Sequence, residues 1–406
     1  MEEAAINWQI FYTEAQDSHL HLFLTLAETN QEAEAHLYQL LDTDRHNLLL
    51  AVETASTENA WDAIQRFTWA VGRPYGGYLS TYGLWEELKN LIEAAIFASH
   101  QLMEPIIAAG FMTDLGTLIL WQGQLAEAKK QYETALSVIK GIPPERATEL
   151  AVARIYHHLG TIYRTLSDTP QARNFLQKAL TLSKKWGDDG GVANNLQELG
   201  NLANDENNLD QALSYYQQSL TINLILPHPI NAAINRRNIG NILYKKDELI
   251  LAEKQWQKAM GVFTQHNDKR NVAGILHALA QLSLDKHQYD TARQLCIKCI
   301  DLKEQIGFRS ALPNTISLLG IISYAEDNGQ AAERYFKQAL DISITNGDPR
   351  QANRQRFNLA MLYELREQFP QAEQLLKQIV AIDAEYKLPD LAANQEALQR
   401  IQTKLS

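Results

Sequence analysis

Cysteine is almost missing from this chain of 406 residues: it occurs twice, as Cys296 and Cys299. Two cysteines cannot build a disulfide framework, which suits a reducing compartment. Glycine (20) and proline (11) are sparse, and this excludes collagen-like, low-complexity and disordered chains. No stretch approaches the roughly 20 apolar residues of a membrane span. The opening Met-Glu-Glu-Ala-Ala is acidic where a signal peptide needs positive charge. The expected location is the cytoplasm. A surplus of cations is also lacking, since Asp+Glu outnumber Lys+Arg by 48 to 37, for a formal charge of -11. Nucleic acid is therefore excluded as a general partner, because phosphate neutralisation needs clustered cations, and an anionic membrane surface would repel the chain.

The motifs of chemistry are missing as well. There is no Gly-x-Ser-x-Gly, no His-Glu-x-x-His and no Gly-rich phosphate loop ending in Gly-Lys-Ser/Thr. Strand signals are absent. Cys296-Ile297-Lys298-Cys299 is a Cys-x-x-Cys, but a zinc site needs four ligands and no second pair exists. His157 and His158 are adjacent rather than four apart, so they are not a helical metal pair, and one of them is expected at the surface. The reading is a non-enzyme with no cofactor and no metal.

What is present is an ordinary folded composition, 45% hydrophobic and 21% charged, in a chain too long for one core. Internal repetition resolves this. From Leu159-Gly160, steps of 40 reach Leu199-Gly200, Ile239-Gly240, Leu279-Ala280, Leu319-Gly320 and Leu359-Ala360. The same step from Ala172 reaches Ala212, Ala252, Ala292, Ala332 and Ala372. A third track runs Ala179, Ser219, Ala259, Cys299 and Ala339, small until Ile379, each followed by an apolar residue. One earlier copy, Leu115-Gly116 with Ala128 and Ala135-Leu136, lies 44 residues upstream.

Three tracks in one phase imply two antiparallel helices per repeat. Helix A carries the Leu-Gly step, whose small residue lets helix B approach. The alanines of helix B share one face and let the next repeat stack. Phe175, Tyr215, Tyr216, Trp256, Tyr335 and Phe336 recur at helical spacing and read as core; Cys296 and Cys299 fall on the same tracks. Polar turns separate A from B at Ser167-Asp168, Asn207-Asn208, Asp247-Glu248 and Asp327-Asn328. Pro170 and Pro370 suit a first helical turn. Gly187-Asp188, Asn267-Asp268 and Gly347-Asp348-Pro349 join successive repeats, with Gly or Asn left-handed and Asp as cap.

This pattern resembles the tetratricopeptide repeat, whose unit has Leu-Gly in helix A, Ala opening helix B and Ala-Leu near its end. The longer period resembles the spindle-orientation scaffolds named for a Leu-Gly-Asn triplet, matched by Leu199-Gly200-Asn201 and Ile239-Gly240-Asn241. The resemblance implies an all-α, right-handed superhelical solenoid. Residues 105–386 are expected to form about seven helix pairs, 1–104 a helical region with degenerate repeats, and 387–406 a capping helix. Asp44–Glu53, Gly83–Leu88 and Glu93–Ile96 resemble the helices that follow the winged helix in STAND-type signalling NTPases. That resemblance implies a sensor region. Without Gly-Lys-Ser/Thr, the chain is not the ATPase itself.

A solenoid of this kind would hold its partner on the inner wall built by helix A. The wall positions are Arg154, His157, Thr161 and Arg164, then Asn194, Gln197, Asn201 and Asn204, then Arg237, Asn241, Tyr244 and Lys245, then His277 and Gln281. Ile234, Asn314, Ser317 and Tyr324 share the phase. Amides carry donors and an acceptor, so a ladder of them suits the backbone of an extended peptide. Arg154, Arg164, Arg237 and Lys245 favour an acidic one, since arginine pairs carboxylates bidentately. The expected partner is a protein or extended acidic peptide, with no nucleic acid and no membrane. The alternatives are a self-assembling scaffold or a stand-alone adaptor. If small residues set the stacking, Ala212→Leu and Ala252→Leu should each lower stability by about 1–3 kcal/mol through overpacking, read as a drop in Tm.

Overall fold

The computed structural model describes residues 8–29, 38–74, 77–226, 228–386, 388 and 390–405. Among them there are helices and turns and no strand. The chain divides into two compact units, Met1–Asn208 and Leu209–Ser406. In the first unit, helices Trp61–Val71, Trp85–Gln101, Pro105–Trp121, Leu125–Val138, Arg146–Thr165, Thr169–Trp186 and Asp189–Asp205 follow one another, each packed on the next. Trp8–Thr29 and Arg45–Thr57 pack against Trp61–Val71. The second unit runs through Pro229–Lys245, Leu249–Gln265, Lys269–Asp285, Tyr289–Gln305, Leu312–Ala325, Gly329–Thr345, Pro349–Leu365 and Phe369–Tyr386. Leu391–Leu405 closes on Phe369–Tyr386 through Ala397 and Ile401.

The turns obey the repeat. Ser167, Asn207, Asp247, His287, Asp327 and Glu367 each take left-handed φ values between 57° and 63° at the same phase. The N–H one residue later then reaches back to close the preceding helix: Asp168 to Tyr163 O (2.9 Å), Asn208 to Ala203 O and Glu248 to Leu243 O (both 2.8 Å). This is the helix-ending geometry in which left-handed backbone satisfies orphan carbonyls. It is inexpensive for Asn and Asp and costs more at His287 and Glu367. The joints between repeats behave as their sequence implies. Gly187, Asn267 and Gly347 have φ of 65°, 53° and 68°, and Asp188, Asp268 and Asp348 accept from the N–H three residues on, at 2.9, 3.0 and 2.9 Å.

Helix A meets helix B where the Leu-Gly step faces a residue four after the helix-B alanine. A Cβ on Gly240 would lie 2.5 Å from the indole of Trp256, and one on Gly320 would lie 2.6 Å from the ring of Phe336. Where the sequence puts alanine instead, Ala280 packs with Cys296 and Ala360 with Leu376, and Gly160 likewise faces a leucine, its Cβ position 2.6 Å from Leu176. Neither alanine faces a ring, so the core stays close-packed. Cys296 and Cys299 are both buried and free. Burial pushes the Cys296 thiol up to about 12, so it behaves as a small apolar filler. Tyr216, Trp256 and Phe336 are buried as expected, whereas Phe175, Tyr215 and Tyr335 are half-buried at the rim of the core.

Two glycine substitutions should therefore have opposite signs. Alanine in a helix interior normally gains about 1 kcal/mol over glycine. Gly261, whose Cβ would meet nothing within 4 Å, should show that gain as Gly261→Ala. Gly240→Ala should instead lose about 1–3 kcal/mol by forcing Trp256 out of place. Urea unfolding of the two variants checks this, and equal signs would be the wrong outcome.

Candidate functional site

Helix A of each repeat leaves one face uncovered by helix B, and the candidate wall residues lie along it. In the first unit, Arg154 is exposed, donates to Gly110 O at 2.6 Å and lies 3.5 Å from Asp114. His157 Nδ1 is 3.0 Å from Asn195 Oδ1, and Thr161 turns back onto His157 O at 3.1 Å. Arg164 bridges two carboxylates, Glu198 at 3.2 Å and Asp205 at 2.9 Å. Asn201 Nδ2 donates to the same Glu198 at 3.0 Å. Asn194 is exposed and Gln197 half-buried, and neither side chain makes a hydrogen bond among the described residues.

In the second unit, Arg237 is half-buried and donates to the side chains of Asn271 and Asn238, both neutral. Burial pushes its guanidinium down, against the pull of Asp268. Asn241 is exposed, yet its Oδ1 accepts from the buried Trp256 indole at 3.0 Å. Tyr244 donates to Asp285, to which Gln281 also donates at 3.2 Å. Burial first, then Asp285, raises the Tyr244 phenol. Lys245 is exposed. Ser317 accepts from Asn358 at 2.8 Å, and Ile321 and Tyr324 add exposed apolar surface.

These contacts run between repeats. Arg154, His157, Arg164, Arg237 and Tyr244 all reach partners 34 to 44 residues away. The polar face thus fastens neighbouring helices A to one another while it faces solvent. Sequence phase located the cations and amides but not their carboxylate partners Asp114, Glu198, Asp205 and Asp285. Part of the signal existed: Asp205 and Asp285 lie 80 residues apart, each one residue beyond a wall phase, with Lys245 midway between them. The two adjacent histidines also differ from expectation, since both are half-buried and neither is a surface residue. His158 stacks flat on Tyr132, with ring centroids 5.1 Å apart, so the core claims it.

His277 is half-buried and joins a polar knot with Lys303 of helix B and Thr315 of the next helix A. Its Nδ1 is 3.2 Å from Thr315 Oγ1, which accepts from Lys303 Nζ at 2.7 Å. Lys303 is 5% exposed and also donates to Ala311 O at 2.8 Å. Burial, helped by the Lys303 charge, pushes the His277 imidazole down to about 4. An imidazole that refuses a proton when folded but accepts one near 6.5 when unfolded stabilises the fold fully above pH 6.5. Stability must fall as pH drops from about 6.5 toward 4, by at most on the order of 3 kcal/mol. Burial depresses His158 in the same direction. Thermal melting against pH should show this slope, and His277→Gln should flatten part of it; an unchanged slope would exclude His277 as a source.

Among the described residues no group of three His, Cys, Asp or Glu could hold a metal ion, and no helix is long and apolar enough to cross a membrane. The tetratricopeptide repeat profile matches residues 107–185 and 151–224. No curated protein matches in sequence. Among solved structures, the apo quorum sensor NprR from B. thuringiensis is similar at a TM-score of 0.60 and 16% identity, covering 91% of this chain and 99% of that one. A STAND protein with a tetratricopeptide repeat sensor from Pyrococcus horikoshii is similar at 0.60 and 16%, covering 92% of this chain. This chain spans 56% of that protein. The apo form of RapI is similar at 0.57 and 14%, covering 69% of this chain and 98% of that one. At such identities the likeness speaks for the fold. The chain carries tetratricopeptide repeats, and its fold is the all-α tetratricopeptide-repeat solenoid.

Proposed function

We propose that this chain is a non-enzymatic binding module that holds a protein or an extended peptide on its helix-A face, as the sensor part of a signalling protein of STAND type. The observation that carries the reading is the unspent hydrogen-bonding capacity on that face. Asn194 and Gln197 have donors and acceptors free, and Arg237 hydrogen-bonds only to neutral amides, with the Asp268 carboxylate acting on it without a direct bond. An amide can both give and take a backbone hydrogen bond. Each such bond contributes only about 0.5–1.5 kcal/mol, so several must act together. Similarity to a quorum sensor and to a repeat-bearing STAND sensor supports a recognition role.

The partner's acidic character belongs to Arg237. Arg154 and Arg164 already face Asp114, Glu198 and Asp205, which blunts their pull on an incoming carboxylate. Arg237 would exchange the amide oxygen of Asn271 for a charged one, and charge-assisted bonds are roughly twice as strong. The division of labour along the chain is part of the same proposal. Residues 1–104 form a region of worn repeats, 105–386 the recognition array and 387–406 its cap.

Selection of a phage-displayed peptide library against the whole chain should enrich extended sequences with an acidic residue. Arg237→Glu should weaken the enriched peptides at least about tenfold, that is by about 1.4 kcal/mol, with Tm unchanged. Asn194→Ala with Gln197→Ala is the gentler companion. Peptides that bind undiminished by all three substitutions would remove this face from consideration.

A further inference from the structure

The 44-residue step into Leu159-Gly160 is the one place from residue 115 onward where the repeat exceeds its period. Most joints between helix B and the next helix A are short, as from Trp186 to Asp189, and the longer one from Gln305 to Leu312 is filled by the turn Arg309–Ala311. Here helix B ends at Val138 and helix A begins at Arg146. The intervening Gly141-Ile142-Pro143-Pro144 cannot continue a helix: Gly141 is left-handed at φ 92°, and the prolines lack N–H donors. The joint is therefore propped open. Beneath it lies a solvent-open cleft of about 570 Å3, within the first unit. That volume is in the range of about 300–1,000 Å3 typical of ligand sites.

The floor of the cleft is apolar: Ile139, Ile142, Val152, Tyr156 and Leu182. It occupies the side of helix A opposite the wall, since Val152 and Tyr156 lie about 160° and 200° around the helix from Arg154. The rim comes from the Thr169–Trp186 helix, where Asn174, Gln177, Lys178 and Thr181 follow one edge. The side chains of Asn174 and Gln177 make no hydrogen bond, and Lys178 no ion pair, among the described residues. The Lys178 ammonium instead stands over the rings of Tyr156 and Phe175, at 5.8 and 5.7 Å from their centroids. The one carboxylate in the cleft, Glu149, is engaged by Lys185 and by the Trp186 indole. The open charge of the cleft is thus a single cation beside an apolar floor, next to two free amides.

We infer that this cleft is a second binding site, independent of the helix-A wall, that takes the C-terminus of a peptide ending in apolar side chains. The terminal apolar groups sit on Ile139, Ile142, Val152 and Leu182. The terminal carboxylate meets Lys178. Asn174 and Gln177 serve the last peptide groups, which need a donor and an acceptor together. A bare acyl chain would leave those amides idle, and this favours a peptide over a fatty acid.

Fluorescence anisotropy on the whole chain tests the site. The probes are fluorescein-labelled Gly-Ser-Gly-Ser peptides extended by Leu-Leu, Ile-Ile, Val-Val or Phe-Phe, each as free acid and as C-terminal amide, with decanoate as competitor. At least one acid should bind, with its amide roughly tenfold weaker or worse. Lys178→Gln should bring the acid down to its amide, and Lys178→Arg should keep most of the affinity. Thr181→Trp at the rim should block entry with Tm unchanged, and Arg237→Glu on the wall should leave binding intact. Loss of binding in Arg237→Glu would merge this site with the wall reading and refute its independence. No binding by any acid, equal binding of acids and amides, or an inert Lys178→Gln would overturn the proposal. Decanoate competing better than every peptide would overturn the peptide occupant.

Discussion

Close approach between helix A and helix B at the Leu-Gly step is the constraint on which the other features rest. The gap accepts a fixed amount of matter, supplied jointly from both sides. The rings of Trp256 and Phe336 stand opposite glycine, while the alanines at 280 and 360 stand opposite the smaller Cys296 and Leu376. This complementarity explains why the glycine track tolerates alanine at 280 and 360 without losing phase. It also explains Cys296 as filler opposite Ala280, where a ring has no room. Packing at crystal-like density leaves little slack, so each exchange must be local and paired.

Once the helix pairs are fixed, their outward polar residues stand at a repeating distance from the same residues in the next repeat. Long side chains such as Arg154, Arg164 and Tyr244 span it and find carboxylates or carbonyls there. Surface ion pairs of this sort contribute little stability individually. Their larger effect is on recognition, because a guanidinium already paired with Asp205 or Glu198 offers less to a partner than Arg237 with its neutral amides. The buried knot of His277, Thr315 and Lys303 follows the same logic inward. Burial pushes both the His277 imidazole and the Lys303 ammonium down, and the ammonium, held by a carbonyl and a hydroxyl, depresses the imidazole further.

Departures from the period carry as much meaning as the period. Helix A gains a turn here, running over Arg146–Thr165 against the 17 residues of Asp189–Asp205, while helix B stops early at Val138, so the Gly141–Pro144 joint cannot close as a tight Gly-Asp joint and leaves the edge of the core open. Apolar surface left open next to an unpaired cation has a different character from the amide-rich wall. The regular repeats supply the wall, and the interruption supplies the cleft.

Repetition made most of the fold legible beforehand. A small residue every 40 positions admits few structures other than stacked helix pairs, and Asn or Asp at the turns and Gly-Asp at the joints fixed where the helices stop. Phase alone also put Arg237 and Asn241 on one face of Pro229–Lys245, because side-chain direction follows from sequence position within a helix. Which of those groups are already occupied was decided only by tertiary structure. Pairing between Arg164 and Asp205, or burial of His158 against Tyr132, depends on the spacing and rotation of neighbouring helices, which no periodicity in one dimension encodes. The cleft at Ile142 is of the same kind: sequence shows four residues too many, and only the packed helices decide whether the surplus becomes a bulge or a site.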